Sequence, residues 1–173
     1  MAVVVRRLEP AEWRLLRTVR LHALADAPYA FGSTYAEESQ LEDAWWAQSA
    51  ARLAWFVAVP SGTPPQRRKA AGLVAGLAAP GSADRSVISM WVDAAYRGTR
   101  IAVRMLDAVE RWARGEGASA LVLRVSDRNE RARRFYARHG FAPTGSSEPL
   151  RSDPTAEALE LRRPLPRARQ LRR

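Results

Sequence analysis

The sequence predicts an α/β fold, with a mixed central sheet of about six to seven strands flanked by about four helices. Three observations carry that prediction. Short β-branched runs alternate along the chain with amphipathic stretches of helical period. The 173 residues, 47% hydrophobic and 27% charged, suffice for one packed core. The stretch Ser86–Gly117 reads as a buried strand, a tight Arg-Gly loop and an amphipathic helix. That order turns the free N–H groups of a helix's first turn outward and makes an anion cradle.

The elements follow in order. Val3–Leu8 is an apolar first strand. Pro10 suits a first helical turn, and Trp13, Leu16, Val19 and Ala23 give an apolar face that ends before Ala27-Pro28. Tyr29–Tyr35 is an aromatic loop, and a second helix is expected over Ala36–Ala51 with Trp45 and Trp46 near its end. Trp55–Val59 and Ala70–Ala78 are strands, the latter weakened by Gly72 and Gly76, around a proline-rich hairpin tip at Pro60–Lys69. Val87–Val92 is the next strand. Thr99–Arg114 is a helix with Ala102, Met105, Leu106, Val109, Trp112 and Ala113 on one face, ended by Gly115 and Gly117. A strand around Leu121–Val125 precedes a short helix over Asn129–His139, stopped by Gly140. Phe141–Thr144 and Ala158–Leu161 are the final strands, separated by a loop containing Pro149 and Pro154. Residues 1–165 are thus read as one domain, and 166–173 as a basic, flexible tail.

Composition excludes several classes. Cysteine is absent, which removes disulfides, thiolate metal sites and a cysteine nucleophile, and fits a cytoplasmic protein. No apolar run is long enough to span a bilayer, and MAVVVRRLEP does not read as a signal peptide. The net charge of +10 suggests a polyanion partner at first sight. However, residues 162–173 hold six arginines and no acid, so the remainder carries about +4. Nucleic acid is therefore not the expected partner. His22 and His139 are the only histidines; no metal-ligand cluster and no Ser-His-Asp arrangement emerges.

Two motifs carry chemistry. After Met90-Trp91-Val92 comes Arg97-Gly98-Thr99-Arg100-Ile101-Ala102; further on, Asn129 is followed seven residues later by Tyr136 and then by Gly140-Phe141. Each alone has a plain structural reading: a strand-to-helix connection, a helix N-cap, a core tyrosine beside Phe135. Together, in this order and at this separation, they resemble the GNAT superfamily of acetyl-CoA-dependent N-acetyltransferases, and the likeness runs over about residues 3–165. The Tyr29–Thr34 segment resembles a substrate-side loop of that family.

The resemblance implies a set of roles. Acetyl-CoA is the cosubstrate, an amine is the acceptor, and no metal is required. The backbone of Met90, Trp91 and Val92 pairs with the pantetheine arm, where a bulge splays this strand from its neighbour. Arg97, Gly98, Thr99, Arg100, Ile101, Ala102 and Val103 cradle the pyrophosphate. Asn129 hydrogen-bonds the coenzyme arm, and Tyr136 acts as general acid toward the departing thiolate. Tyr29, Phe31 and Tyr35 face the acceptor. A backbone N–H, that of Val92 among the choices, stabilises the oxyanion of a direct attack. Two departures stand out. Arg100 occupies a position where the family usually has glycine or no long side chain; with negative φ it points outward toward phosphate, and with positive φ it is strained. Arg124 replaces a Glu that some members use as a base. A primary amine with a pKa near 10.4 is only about 0.04% neutral at pH 7, so it needs a proton acceptor. Asp93, Glu37, Glu38, Glu148, Asp153 and Glu157 are the carboxylates on candidate segments, with a water relay or an already weakly basic amine as the alternatives. A small-molecule acceptor is expected, with a homodimer left open. The rival reading is a coenzyme A-binding sensor or interaction module with weakened catalysis.

Overall fold

The computed structural model describes residues 2–62, 69–79 and 81–166. Seven strands form one sheet in the order β1-β2-β3-β4-β5-β7-β6. They are β1 (Val3–Arg7), β2 (Ala54–Pro60), β3 (Gly72–Ala78), β4 (Arg85–Val92), β5 (Ala120–Ser126), β6 (Ala142–Leu150) and β7 (Asp153–Pro164). The helices are α1 (Trp13–Asp26), α2 (Tyr35–Ser39), α3 (Asp43–Arg52), α4 (Ile101–Gly115) and α5 (Glu130–Arg138). The mixed α/β architecture is the expected one. Most of the Pro60–Lys69 tip and nearly all of the 166–173 tail lie outside the described residues. Among the described residues no helix is long and apolar enough to cross a membrane.

Two cores sandwich the sheet. On one face α4 lays Met105, Leu106, Val109 and Ala113 against Phe56, Val74 and Leu121. On the other, α1 and α3 bring Leu16, Val19, Leu24 and Trp46 against Trp55, Val57 and Leu73. Gly76 on β3 belongs to this packing. A Cβ there would lie 2.2 Å from Trp112 Cζ3, so its weak strand propensity is the condition for α4 to press onto the sheet.

Two local expectations are corrected. The helix expected over Ala36–Ala51 is broken into α2 and α3. Thr34 and Glu37 form a reciprocal capping box that starts a short helix, and Glu42 is extended (φ −68°, ψ 157°) before the chain re-enters helix. Trp45 and Trp46 therefore stand at the start of α3. The loop expected around Pro149 and Pro154 is instead the end of a hairpin, and both prolines lie within strands. Each is tolerated for a reason. Pro149 is on β6, the outer strand, and Pro154 precedes Ala158, where β7 first pairs with β5.

The decisive irregularity is in β4. All neighbouring pairs in the sheet are antiparallel except β4 with β5, and that parallel ladder covers only Arg85↔Leu121 and Ser86↔Val122. On the other side, the register with β3 slips by one residue between Leu73↔Trp91 and Ala75↔Ile88. Ser89 sits in the slip with φ 58°, a left-handed conformation that non-glycine residues rarely adopt. One extra residue reverses sidedness. Val87 packs with the α4 core and Ile88 with the α1 core, whereas beyond the bulge Met90 and Val92 face α4 and Trp91 faces α1.

Candidate active site

Where β4 and β5 part, two cavities open. One, of about 530 Å³, is lined by Met90, Trp91 and Val92, the Arg97–Thr99 loop, Ala102 and Val103 of α4, and one side of α5. The other, of about 550 Å³, is lined by the Ala30–Ser33 loop, Ser86–Met90, Val122–Val125, Arg151 and Glu160. Ala30, Met90, Asn129, Ala132 and Tyr136 line both. The cavities are thus two sides of one passage through the splay, with the bulged strand, Asn129 and Tyr136 at their junction.

The first side has the character of an anion cradle. Gly98 has φ 81°, and an added Cβ would meet nothing within 4 Å. Glycine is required there by backbone conformation rather than by space. It turns the chain into α4, so that among the described residues none accepts a hydrogen bond from the backbone N–H of Gly98, Arg100, Ala102 or Val103. These are the orphan donors of a helix start, in a helix of fifteen residues whose dipole favours an anion. Arg100 is the residue preceding α4, with φ −81° and ψ 8°. Its backbone is therefore unstrained, and its exposed side chain lies outside the cavity lining. Ile101 turns its side chain into the core, 4% exposed. The Arg97 guanidinium is engaged with the protein. Its Nε donates to the Val92 carbonyl at 3.0 Å, and Nη2 pairs with Asp26, which also accepts from Trp91 Nε1 at 2.9 Å. Arg131 and Arg138 of α5 border the same side, whereas Arg134 is paired with Glu130.

At the junction, Asn129 caps α5 by accepting from the Ala132 N–H at 3.1 Å, which leaves its Nδ2 out of that bond and on the passage wall. Tyr136 is 6% exposed, packed edge-on to Phe135 and Phe141. Burial pushes its phenol well above the ordinary tyrosine range, so it holds its proton at any working pH.

The aromatic loop divides. Phe31 is buried and lines the Glu160 side; Tyr29, largely exposed, lines the cradle side; Tyr35 is half exposed and borders neither. Most carboxylates singled out from the sequence serve structure. Asp93 accepts from the Ala95 N–H at 2.9 Å, Glu38 is clasped by Arg20, and Glu148 pairs with Arg124. Hydrogen bonds from the Thr34 backbone and hydroxyl hold Glu37 below the usual carboxylate range, and Thr155 does the same for Asp153. The carboxylate that does line the second cavity is Glu160 on β7, which the sequence reading missed. It accepts from Thr144 Oγ1 at 3.0 Å and lies 3.6 Å from Arg124 Nη2. It stands opposite Arg124 in the β5–β7 register, a pairing that no local sequence pattern reveals. Among the described residues no group of three or more His, Asp or Glu is placed to hold a metal ion.

A family model described as the acetyltransferase (GNAT) family matches residues 18–141, from α1 through the bulged strand, the cradle, Asn129 and Tyr136. Among solved structures, a GNAT-family acetyltransferase from Streptococcus pneumoniae superposes with TM-score 0.75 at 17% identity, covering 95% of this chain and 100% of that one. The PaiA N-acetyltransferase of Thermoplasma acidophilum, solved with coenzyme A, gives 0.64 at 12% identity over 95% and 100%. Nourseothricin acetyltransferase gives 0.59 at 23% identity over 66% of each chain. At these identities the structural likeness is one of fold. No curated protein sequence matches significantly.

Proposed function

Because this chain belongs to the GNAT family of acetyltransferases, and so catalyses acetyl transfer, we propose that its donor is acetyl-CoA and its acceptor the amine of a small molecule. The observation that carries this reading is the passage at the β4–β5 splay, with an anion cradle on one side and a carboxylate-bearing cavity on the other. The reading takes residues 1–165 as a single N-acetyltransferase domain.

The residues fit an acyl-coenzyme A by their donors. The free N–H groups at Gly98, Arg100, Ala102 and Val103 suit a pyrophosphate, with Arg131 and Arg138 adding positive charge at the border. Met90 and the Val92 N–H lie on the strand edge that β5 leaves unpaired and suit the amide-bearing arm, the Val92 carbonyl being held by Arg97, and Asn129 Nδ2 offers a further donor. Trp91 serves this edge indirectly, through its bond to Asp26 and the tie of Asp26 to Arg97, which fixes the loop against the strand. When bound, the cosubstrate supplies an acetyl thioester at the junction. There Tyr136 donates a hydrogen bond to the departing sulfur. The acceptor enters past Phe31 and Arg151, and Glu160 takes the ammonium proton, directly or through water. The chain has no cysteine to form a thioester intermediate, and the reading takes the attack as direct. Titration calorimetry with acetyl-CoA tests the reading. Binding at micromolar concentration, weakened by salt because the contact is a polyanion, is the expected result; no heat at high micromolar concentration would refute it.

A further inference from the structure

The acceptor-side cavity carries four charged side chains in its wall: Arg20, Arg124, Arg151 and Glu160. The three arginines are not equally available to a ligand. Arg20 donates through Nε and Nη2 to Glu38 at 2.9 and 2.7 Å, and its Nη1 is closed off from solvent. Its charge is satisfied inside the protein. Arg124 lies between two carboxylates, paired through Nη1 with Glu148 and through Nη2, at 3.6 Å, with Glu160.

Arg151 differs. It stands in the turn between β6 and β7, with its side chain 75% exposed. Its ion-pair partner, Glu37, is 4.0 Å away, beyond hydrogen-bond distance. Glu37 Oε2 already accepts from the Thr34 N–H at 2.9 Å and from the Thr34 hydroxyl at 3.1 Å. An exposed contact of this kind holds an arginine only weakly. Arg151 Nε donates to the Gly32 carbonyl at 3.1 Å, and among the described residues nothing accepts a hydrogen bond from Nη1 or Nη2.

The Nε bond is one half of a strap. Ser152 donates its hydroxyl to the Phe31 carbonyl, so the β6–β7 turn is tied twice to the Phe31-Gly32 loop, which lines the same cavity. Both acceptors are backbone carbonyls and leave the charge of Arg151 uncancelled. The strap holds the guanidinium in the wall with two nitrogens left to donate, an arrangement that suits a carboxylate.

Glu160 sets the length of the molecule that fits. It stands seven residues along β7 from Asp153, or about 23 Å of extended strand. The two side chains close part of that span. An ammonium and a carboxylate on one carbon atom still stand too close together to reach both ends. The rest of the wall includes the apolar side chains of Phe31, Met90, Leu123 and Val125.

We propose that Arg151 is the specificity-determining residue of the acceptor site, and that the acceptor is an amine bearing a carboxylate at the far end of a mainly apolar chain. The carboxylate accepts from Arg151 Nη1 and Nη2, while the amine lies at the junction within reach of Glu160. The inference rests on the acetyl-transfer reading above and names the acceptor class for it.

The test uses ω-amino acids from 3-aminopropanoate to 12-aminododecanoate as acceptors for transfer from acetyl-CoA, each compared with its ω-amino amide. The amide keeps length and shape and removes the charge, so the ratio of the two kcat/KM values isolates the carboxylate. Over one range of chain lengths the acid is expected to exceed its amide by about tenfold, the effect of a charge-assisted contact. The ratio is expected to fall toward one for shorter and longer members. Arg151→Gln, which removes the charge and keeps a polar side chain, is expected to bring the ratio toward one at every length. No preference at any length, or a preference that Arg151→Gln leaves intact, overturns the proposal, while acetylation of any amine leaves the transferase reading standing. Failure to acetylate any amine, or to bind coenzyme A, would instead overturn the transferase reading, and this inference with it.

Discussion

Tyr136→Phe is expected to lower kcat by roughly 10²–10³-fold, the cost of removing one preorganised donor from a developing negative charge, with little change in acetyl-CoA affinity. The split follows from where the hydroxyl sits. The ring is part of the core formed with Phe135 and Phe141, and phenylalanine preserves that packing. Only the O–H at the junction of the two cavities is lost. The sulfur is a good leaving group as thiolate, with an ordinary thiol pKa of about 8.5, but within the passage the anion still needs a hydrogen-bond partner. A phenol that keeps its proton by virtue of burial is suited to donate a hydrogen bond there across the working pH range. Steady-state rates with calorimetric affinities for acetyl-CoA measure the two effects separately. An unchanged kcat would remove Tyr136 from the mechanism.

Glu38→Ala is expected to be the most destabilising single substitution outside the apolar core. The Arg20–Glu38 pair is bidentate, each side chain is 9% exposed, and the guanidinium also stacks over Phe31 at 4.6 Å from the ring centre. Deleting the carboxylate leaves a buried charge with no counterion, which costs about 3–5 kcal/mol and lowers Tm on the order of 10 °C for a chain of this size. The asymmetry is instructive. Replacing both residues by apolar ones of similar volume is expected to recover most of the loss, since a buried pair is stabilising mainly relative to its broken halves. Urea unfolding of the single and double variants gives the comparison. A loss below about 1 kcal/mol in the single variant would mean that the pair behaves as a solvated surface contact. The pair also holds Phe31 at the acceptor cavity, so function and stability share this contact.

The sequence made some of this site legible and left the rest invisible, for identifiable reasons. Gly98 and the start of α4, and Asn129 followed by Tyr136 on α5, are local patterns: turn geometry and helical spacing bring each set together within a few residues. Arg100 could be noticed from the sequence but not interpreted, because its meaning depended on the sign of one dihedral angle. Glu160 was missed because its access to the passage is set by the β5–β7 register, and β7 is longer than its apolar pattern indicates. The bulge at Ser89 was implied only by the family resemblance. Composition carries no mark of a left-handed serine, and its effect emerges when Val87 and Trp91 are found in different cores. The Arg20–Glu38 pair joins residues from α1 and α2; the start of α2 is signalled by Thr34-x-x-Glu37, a capping box that straddles the end of the aromatic loop, whereas the break after it at Glu42 has no such signal.

Two-substrate initial-rate kinetics test the central claim most directly, with acetyl-CoA and the best amine of the panel varied together and the acetylated product identified by mass spectrometry. Direct transfer through one passage holding both substrates predicts double-reciprocal lines that intersect, with one coenzyme A released for each acetylated amine. Parallel lines, the mark of an acyl-enzyme that forms before the amine binds, or coenzyme A release without an acetylated amine, would contradict it.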